Sequence, residues 1–191
     1  MEARKLRVGL IGTGWIGQHH GRNVMASGRA ELTAVCNPDP DKARAFVQRC
    51  GSAAAVYRSY EELLQHPGLQ AVIIASPNAA HAEQAVAAAA AGKHIYLEKP
   101  MAIRLEDCRR IVTAVRKAGV KLDMGYHRRL NPIARFARQL LADGKLGDLV
   151  FAESDYFHHV PGRRISPAPP STAARATTST CCVLSAARWP R

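Results

Sequence analysis

The sequence predicts a doubly wound α/β fold, a parallel sheet with helices on both faces, followed by the beginning of an α+β domain. Three observations predict it. Up to about residue 150, strand-like apolar runs alternate with helix-like stretches. The runs are continuously apolar rather than alternating, as in strands buried on both faces. A glycine cluster, Gly12-Thr13-Gly14-Trp15-Ile16-Gly17, stands where the first strand gives way to the first helix.

LRVGLIG (6–12) reads as the first strand, and residues 15–27 as a helix stopping at Gly28. ELTAVCN (31–37) is the second strand, and after Pro38-Asp39-Pro40 a helix is expected over 41–50. A short strand at 55–57 and a helix at 60–65 precede LQAVIIAS (69–76), the most apolar strand of the chain. Residues 78–91 are alanine-rich and stop at Gly92, as helices do. KHIYLEK (93–99) is the next strand, 105–118 a helix closed by Gly119, and VKLDMGY (120–126) the last strand of the set. After Tyr126 the pattern changes: 132–142 reads as a helix, and DLVFAESDYFHH (148–159) as an alternating strand with a polar outer face. Such alternation suits an antiparallel sheet. Residues 161–191, rich in Pro, Ser, Thr, Ala and Arg, show no periodic apolar face and bury too little to offset their ordering entropy. The expected division is therefore 1–126, 127–160 and a tail of 161–191, disordered by composition.

With 191 residues and 47% apolar content, the chain suits a soluble protein of one domain, or one and part of a second. No apolar run is long enough to cross a membrane. The N-terminal MEARKLRVGL resembles a signal peptide only superficially, because GTGWIG follows at once. Cys36, Cys50, Cys108, Cys181 and Cys182 have no ligand-like spacing. A cytoplasmic location and no structural metal are the expectations. Of the net charge of +12, five positive charges fall in 161–191, leaving +7 on the preceding residues. No basic helix interleaved with aromatics stands out, so an anionic cofactor explains the charge better than nucleic acid does.

GTGWIG matches GxGxxG between a strand and a helix, the context that gives the pattern meaning. Gly12 allows the tight turn, Gly14 lets the backbone approach a pyrophosphate, and Gly17 permits close helix–strand packing. The helix N-terminus at Trp15 and Ile16 supplies amide donors and the positive dipole end. A glycine turn with no ligand is the plain alternative. The ribose-reading position, about 20 residues on, is Asn37. An Asn hydrogen-bonds a ribose but does not repel a 2′-phosphate. Pro38 follows rather than an Arg, with Lys42 and Arg44 the nearest cations on the next helix. The balance favours NAD(H) over NADP(H). At the end of the most apolar strand, Ser76, Pro77 and Asn78 are expected to line the cofactor. His81 either approaches it or bonds local backbone.

Tyr96-Leu97-Glu98-Lys99-Pro100 ends the fifth strand, and proline disfavours the α region for Lys99. GTGWIG, ASPNAAHAEQAVAAAAAGKHIYLEKPMA and GYHRRLNPIARFARQLLADGKLGDL, read in order, resemble the glucose–fructose oxidoreductase/inositol dehydrogenase family, often called Gfo/Idh/MocA, over about residues 5–160. The resemblance implies a Rossmann domain (1–126) followed by the start of an α+β substrate domain (127–160). It implies NAD(P)-dependent hydride transfer on a sugar, cyclitol or related polyol, and homo-oligomers for the full-length family. Lys99 is then the catalytic candidate, touching the nicotinamide ribose and the reacting hydroxyl, and Glu98 binds near the nicotinamide side. His127 and Arg128 are candidate substrate contacts, with a solvated linker as the alternative.

One departure stands out. The family's second-domain motif, glycine-rich and then an Asp and a His, does not occur, and His158 and His159 do not match its position. The expectation is that residues 161–191 arose by truncation or an altered reading frame and that the chain lacks its catalytic His. A natural disordered tail is the competing reading. A non-catalytic dinucleotide-binding module or inactive fragment is the alternative function, and a nucleic-acid binder acting through the basic tail is a third.

Overall fold

The computed structural model describes residues 5–148 and 150. Among these, β1 (Leu6–Ile11), α1 (Trp15–Ala26), β2 (Ala30–Cys36), α2 (Pro40–Arg49), β3 (Ala55–Tyr57) and α3 (Tyr60–Leu64) form the first half of a sheet unit. Its second half is β4 (Ala71–Ile74), α4 (His81–Ala90), β5 (His94–Leu97), α5 (Leu105–Ala118) and β6 (Leu122–Met124). A 3-10 turn at His127–Leu130 and α6 (Pro132–Ala142) come after it. The chain divides into two units between Tyr126 and His127.

All strand pairs are parallel, in the order β3-β2-β1-β4-β5-β6. The fold is thus the doubly wound α/β sheet that the sequence predicts. The chain runs outward from β1 to β3 and returns to β4 on the other side of β1. That reversal opens a crevice at the carboxyl ends of β1 and β4.

Continuously apolar strands work here because successive residues feed opposite faces. Val72 and Ile74 of β4, with Ile95 and Leu97 of β5, pack with Leu63, the alanines of α4 and Ile111 of α5. Ile73 and Tyr96, between them in sequence, face the other side, where Val8, Leu10, Val35 and Phe46 gather. Phe46 is 1% exposed, and truncating such a ring to alanine costs about 3–5 kcal/mol. Small side chains on α4 (Ala82, Ala85, Ala88 and Ala89, all buried) let it lie close to the sheet.

Three strands are shorter than their apolar runs suggest: 71–74 against 69–76, 94–97 against 93–99, and 122–124 against 120–126. Leu69 and Ala75 are nonetheless buried, at 4% and 7% exposure. An apolar run reports burial, which extends past the strand ends. The alanine-rich segment begins as a 3-10 turn, Asn78–Ala80, after the extended Pro77, and becomes α-helical at His81. In the second unit, the Asn131 side chain caps α6 by accepting from the Ile133 amide at 2.9 Å. Of the strand expected at 148–159, residues 149 and 151–159 lie outside the described residues, as does the tail 161–191.

Candidate functional site

In a parallel sheet all carboxyl ends share one edge, and here the pairing runs one residue past five of the six strands. The Gly12 amide donates to the Cys36 carbonyl (2.9 Å), Asn37 to Tyr57 (3.2 Å), and Ala75 to Ile11 (2.9 Å). Glu98 donates to Ile74 (3.0 Å) and Gly125 to Leu97 (2.8 Å). Segments far apart in sequence are thereby locked side by side along the crevice edge.

At the β1–α1 turn, Gly12 has φ +98, and a Cβ on it would meet the Ala75 carbonyl oxygen at 2.6 Å. A Cβ at Gly17 would stand 2.0 Å from the Gly12 carbonyl oxygen, whereas one at Gly14 would meet nothing within 4 Å. Gly12 and Gly17 are therefore required by the protein's own packing, while Gly14 faces open space. Gly14 caps α1 with no side-chain bond, and no acidic residue sits in the first turn of α1. Among the described α-helices, α1 alone has neither: α2, α3 and α6 are side-chain capped, and α4 and α5 carry acids in their first turns. First-turn amides have no intrahelical partners, so this N-terminus is left open to an anion. Trp15, 76% exposed, stands at its start with its ring edge-on to His19 at 4.5 Å. Ile16, half-buried, packs against the core on the Phe46 side.

At the end of β2, Asn37 donates through Nδ2 to Thr13 Oγ1 (2.6 Å) and accepts through Oδ1 from the Asp39 amide (2.9 Å). Its amide orientation is thus set by the glycine turn on one side and by the α2 cap on the other. Asp39 caps α2 and pairs with Lys42 Nζ at 3.0 Å, and Arg44 pairs with Asp41 at 2.6 Å. The two nearest cations are both engaged by carboxylates of α2 or its cap.

At the end of β4, Ser76 donates to Gln84 Oε1 (2.5 Å), and Pro77 and Asn78 are exposed. His81 is fully buried, with Nδ1 2.8 Å from the Pro100 carbonyl oxygen and Nε2 3.0 Å from that of Ser76. Of the two sequence readings, the geometry matches backbone bonding. The ring ties the β4 loop to the β5 loop and presents no surface to a ligand.

At the end of β5, Lys99 is exposed and the Lys99–Pro100 peptide is cis. Glu98, its neighbour, is turned inward and only 5% exposed. It accepts through Oε1 from His20 Nε2 (2.7 Å) and through Oε2 from the Lys99 amide (3.2 Å). Strand geometry explains this orientation: Glu98 shares a face with Tyr96, the face that α1 covers. Burial pushes the Glu98 carboxyl up, but the hydrogen bond and charge of His20, with the Lys99 amide and charge, outweigh it. The net effect holds Glu98 below its ordinary value of 4.5.

His127 and Arg128 are exposed on the 3-10 turn of the second unit. Among the described residues no group of three or more His, Cys, Asp or Glu is arranged to hold a metal ion, and no helix is long and apolar enough to cross a membrane. Sequence reasoning missed His20 and Gly125. His20 lies between Gly17 and Gly21, the buried glycines of α1, so helical spacing carried the signal.

Comparison with known proteins agrees with this geometry. Residues 6–126 match the Gfo/Idh/MocA oxidoreductase family, NAD-binding Rossmann fold. The chain is 34% identical over 154 residues to 1,5-anhydro-D-fructose reductase of Ensifer adhaerens, covering 81% of this chain and 45% of that protein. It is 30% identical over 159 residues to inositol 2-dehydrogenase/D-chiro-inositol 3-dehydrogenase of Lactiplantibacillus plantarum, covering 82% and 45%. Its structure is similar to scyllo-inositol dehydrogenase from Lactobacillus casei with bound NAD(H) and scyllo-inositol (TM-score 0.72, 28% identity, 76% of this chain and 43% of that one). The chain thus spans less than half the length of the relatives it matches.

Proposed function

The chain belongs to the Gfo/Idh/MocA oxidoreductase family, and on that premise we propose that residues 1–126 are the nicotinamide dinucleotide domain of an enzyme acting on a sugar, cyclitol or related polyol. Residues 127–160 are then the beginning of its substrate domain. The observation that carries the reading is the open, uncapped N-terminus of α1 beside Gly14, on the edge where Asn37, Ser76 and Lys99 also emerge. These residues fit a dinucleotide: α1 amides for the pyrophosphate, Asn37 for a ribose, and the Ser76–Asn78 loop along the crevice.

The nicotinamide, when bound, supplies hydride transfer. What the protein must add is placement and a path for the hydroxyl proton. Lys99 is the candidate for contact with the reacting hydroxyl. The family's second-domain base is not found among these 191 residues. The leading reading is NAD(P)-dependent oxidation or reduction of such a polyol, with a non-catalytic dinucleotide-binding module or inactive fragment as the alternative function. NAD(H) is favoured because Lys42 and Arg44 are already paired with Asp39 and Asp41. The substrate class rests on the inositol and anhydrofructose enzymes among the relatives.

Fluorescence titration of the purified chain with NADH and NADPH tests the reading, followed by assay over a panel of inositols and sugars. Saturable binding, tighter for NADH, is expected. No binding of either nucleotide sinks the proposal, turnover that disappears in Lys99→Ala supports the oxidoreductase, and binding with no turnover over the panel favours the non-catalytic module.

A further inference from the structure

His20 of α1, the helix that follows the glycine turn, and Glu98 are 78 residues apart in sequence, yet one hydrogen bond joins them directly: His20 Nε2 to Glu98 Oε1 at 2.7 Å. Glu98 is held below the ordinary carboxylate range, so it has no proton to give. Nε2 therefore carries the hydrogen and donates. Only 16% of the His20 side chain and 7% of the Glu98 side chain are exposed, so water competes little for the bond. The other carboxylate oxygen receives the Lys99 amide at 3.2 Å. The carboxylate is thus used on both sides by the protein, with His20 fixing one oxygen and the Lys99 backbone fixed by the other.

Two neighbours complete the device. The ring of Tyr96 meets His20 edge-on at 5.0 Å and closes one side. At Gly125 a Cβ would stand 2.9 Å from Glu98 Oε1 and 3.0 Å from its Cδ, so the glycine reserves the volume that the carboxylate occupies. A residue placed only to fill space does not need its donor aimed at one oxygen of a buried carboxylate. Such a bond to a charged group, out of water, holds a rotamer firmly.

We infer that His20 is a positioning residue for Lys99, acting through Glu98. Its donor holds the carboxylate inward, the carboxylate holds the Lys99 amide, and the exposed Lys99 side chain is thereby presented at the crevice edge. The role given to Lys99 rests on the cofactor reading above, whereas the coupling of His20 to Lys99 does not.

The test uses the whole chain with His20→Ala, His20→Gln and Glu98→Gln. Gln places an amide nitrogen the same number of bonds out as Nε2, and so restores the donor. NADH is titrated well below each variant's melting temperature. His20→Ala is expected to bind about tenfold more weakly, the size of one lost hydrogen bond to a charged group, and His20→Gln to recover most of that loss. In parallel, the lysines are reductively methylated with a ¹³C label, and the Lys99 resonance is identified by its absence in Lys99→Arg. It is expected to shift in His20→Ala and to return in His20→Gln.

A general packing defect moves neither readout back with Gln. If wild type binds no NADH, the function proposed above fails, and the Lys99 resonance alone decides the coupling. If His20→Ala does not fold, Glu98→Gln takes its place, with a shifted Lys99 resonance expected. A Lys99 resonance unmoved by these substitutions, or binding equal to wild type in His20→Ala, overturns the inference.

Discussion

Replacing Gly17 and Gly14 by alanine, one at a time, separates what the glycine cluster does for the fold from what it does for a ligand. At Gly17 the new Cβ would stand 2.0 Å from the Gly12 carbonyl oxygen, about 1.4 Å inside ordinary contact, and the obstacle is backbone rather than a flexible side chain. Relief requires α1 to move off the turn. Overpacking of this kind costs about 3 kcal/mol at the upper end of its usual range. Alanine returns about 1 kcal/mol of helix propensity, leaving a net loss of roughly 2 kcal/mol. In a unit of this size that lowers the melting temperature by on the order of 6 °C. At Gly14 the Cβ meets no protein atom, so stability is expected to stay within about 0.5 kcal/mol of wild type. The space it takes is the approach to α1 reserved for a pyrophosphate, so NADH affinity is expected to fall about tenfold or more. Thermal melts followed by circular dichroism, with NADH fluorescence titrations on the same samples, read both quantities. A Gly17→Ala protein that melts with wild type refutes the packing argument. A Gly14→Ala protein that binds NADH as wild type does refutes the assignment of that open space.

Glu98 also predicts a pH dependence. Its pKa is lower in the folded state than the ordinary 4.5, so its contribution is fully present above that value and is lost as pH falls through the lower folded value. Melting temperature measured downward from pH 6 is therefore expected to drop more steeply in wild type than in Glu98→Gln, and parallel curves would count against a hydrogen-bonded Glu98 carboxylate. Burial, with Glu61 and Glu62 nearby, pushes the Cys36 thiol up to about 11. At pH 8 the native protein is expected to show the same number of fast-reacting thiols toward a disulfide reagent in wild type and in Cys36→Ser, and the loss of one fast thiol in the variant would contradict that.

Much of the fold was legible in the sequence because its signals are local. Continuous apolar runs between helical stretches specify strands covered on both faces, and GxGxxG at a strand–helix junction specifies a turn whose steric demands lie within a few residues of it. Resemblance then marked Lys99 and its neighbours. Strand lengths were overestimated because burial at Leu69 and Ala75 extends past the strand ends. Sequence by itself determined the elements, the order of their apolar faces, and where the ligand-side segments begin. Only the tertiary structure decided what those segments touch. It turned Glu98 toward His20 on α1, used both nitrogens of His81 on the Ser76 and Pro100 carbonyls, and set Asn37 against Thr13. Periodicity tells which face of a strand or helix a side chain occupies. Which residue waits across that face depends on strand order and on the helix that covers it, and a hydrogen bond spanning 78 residues has no local signature.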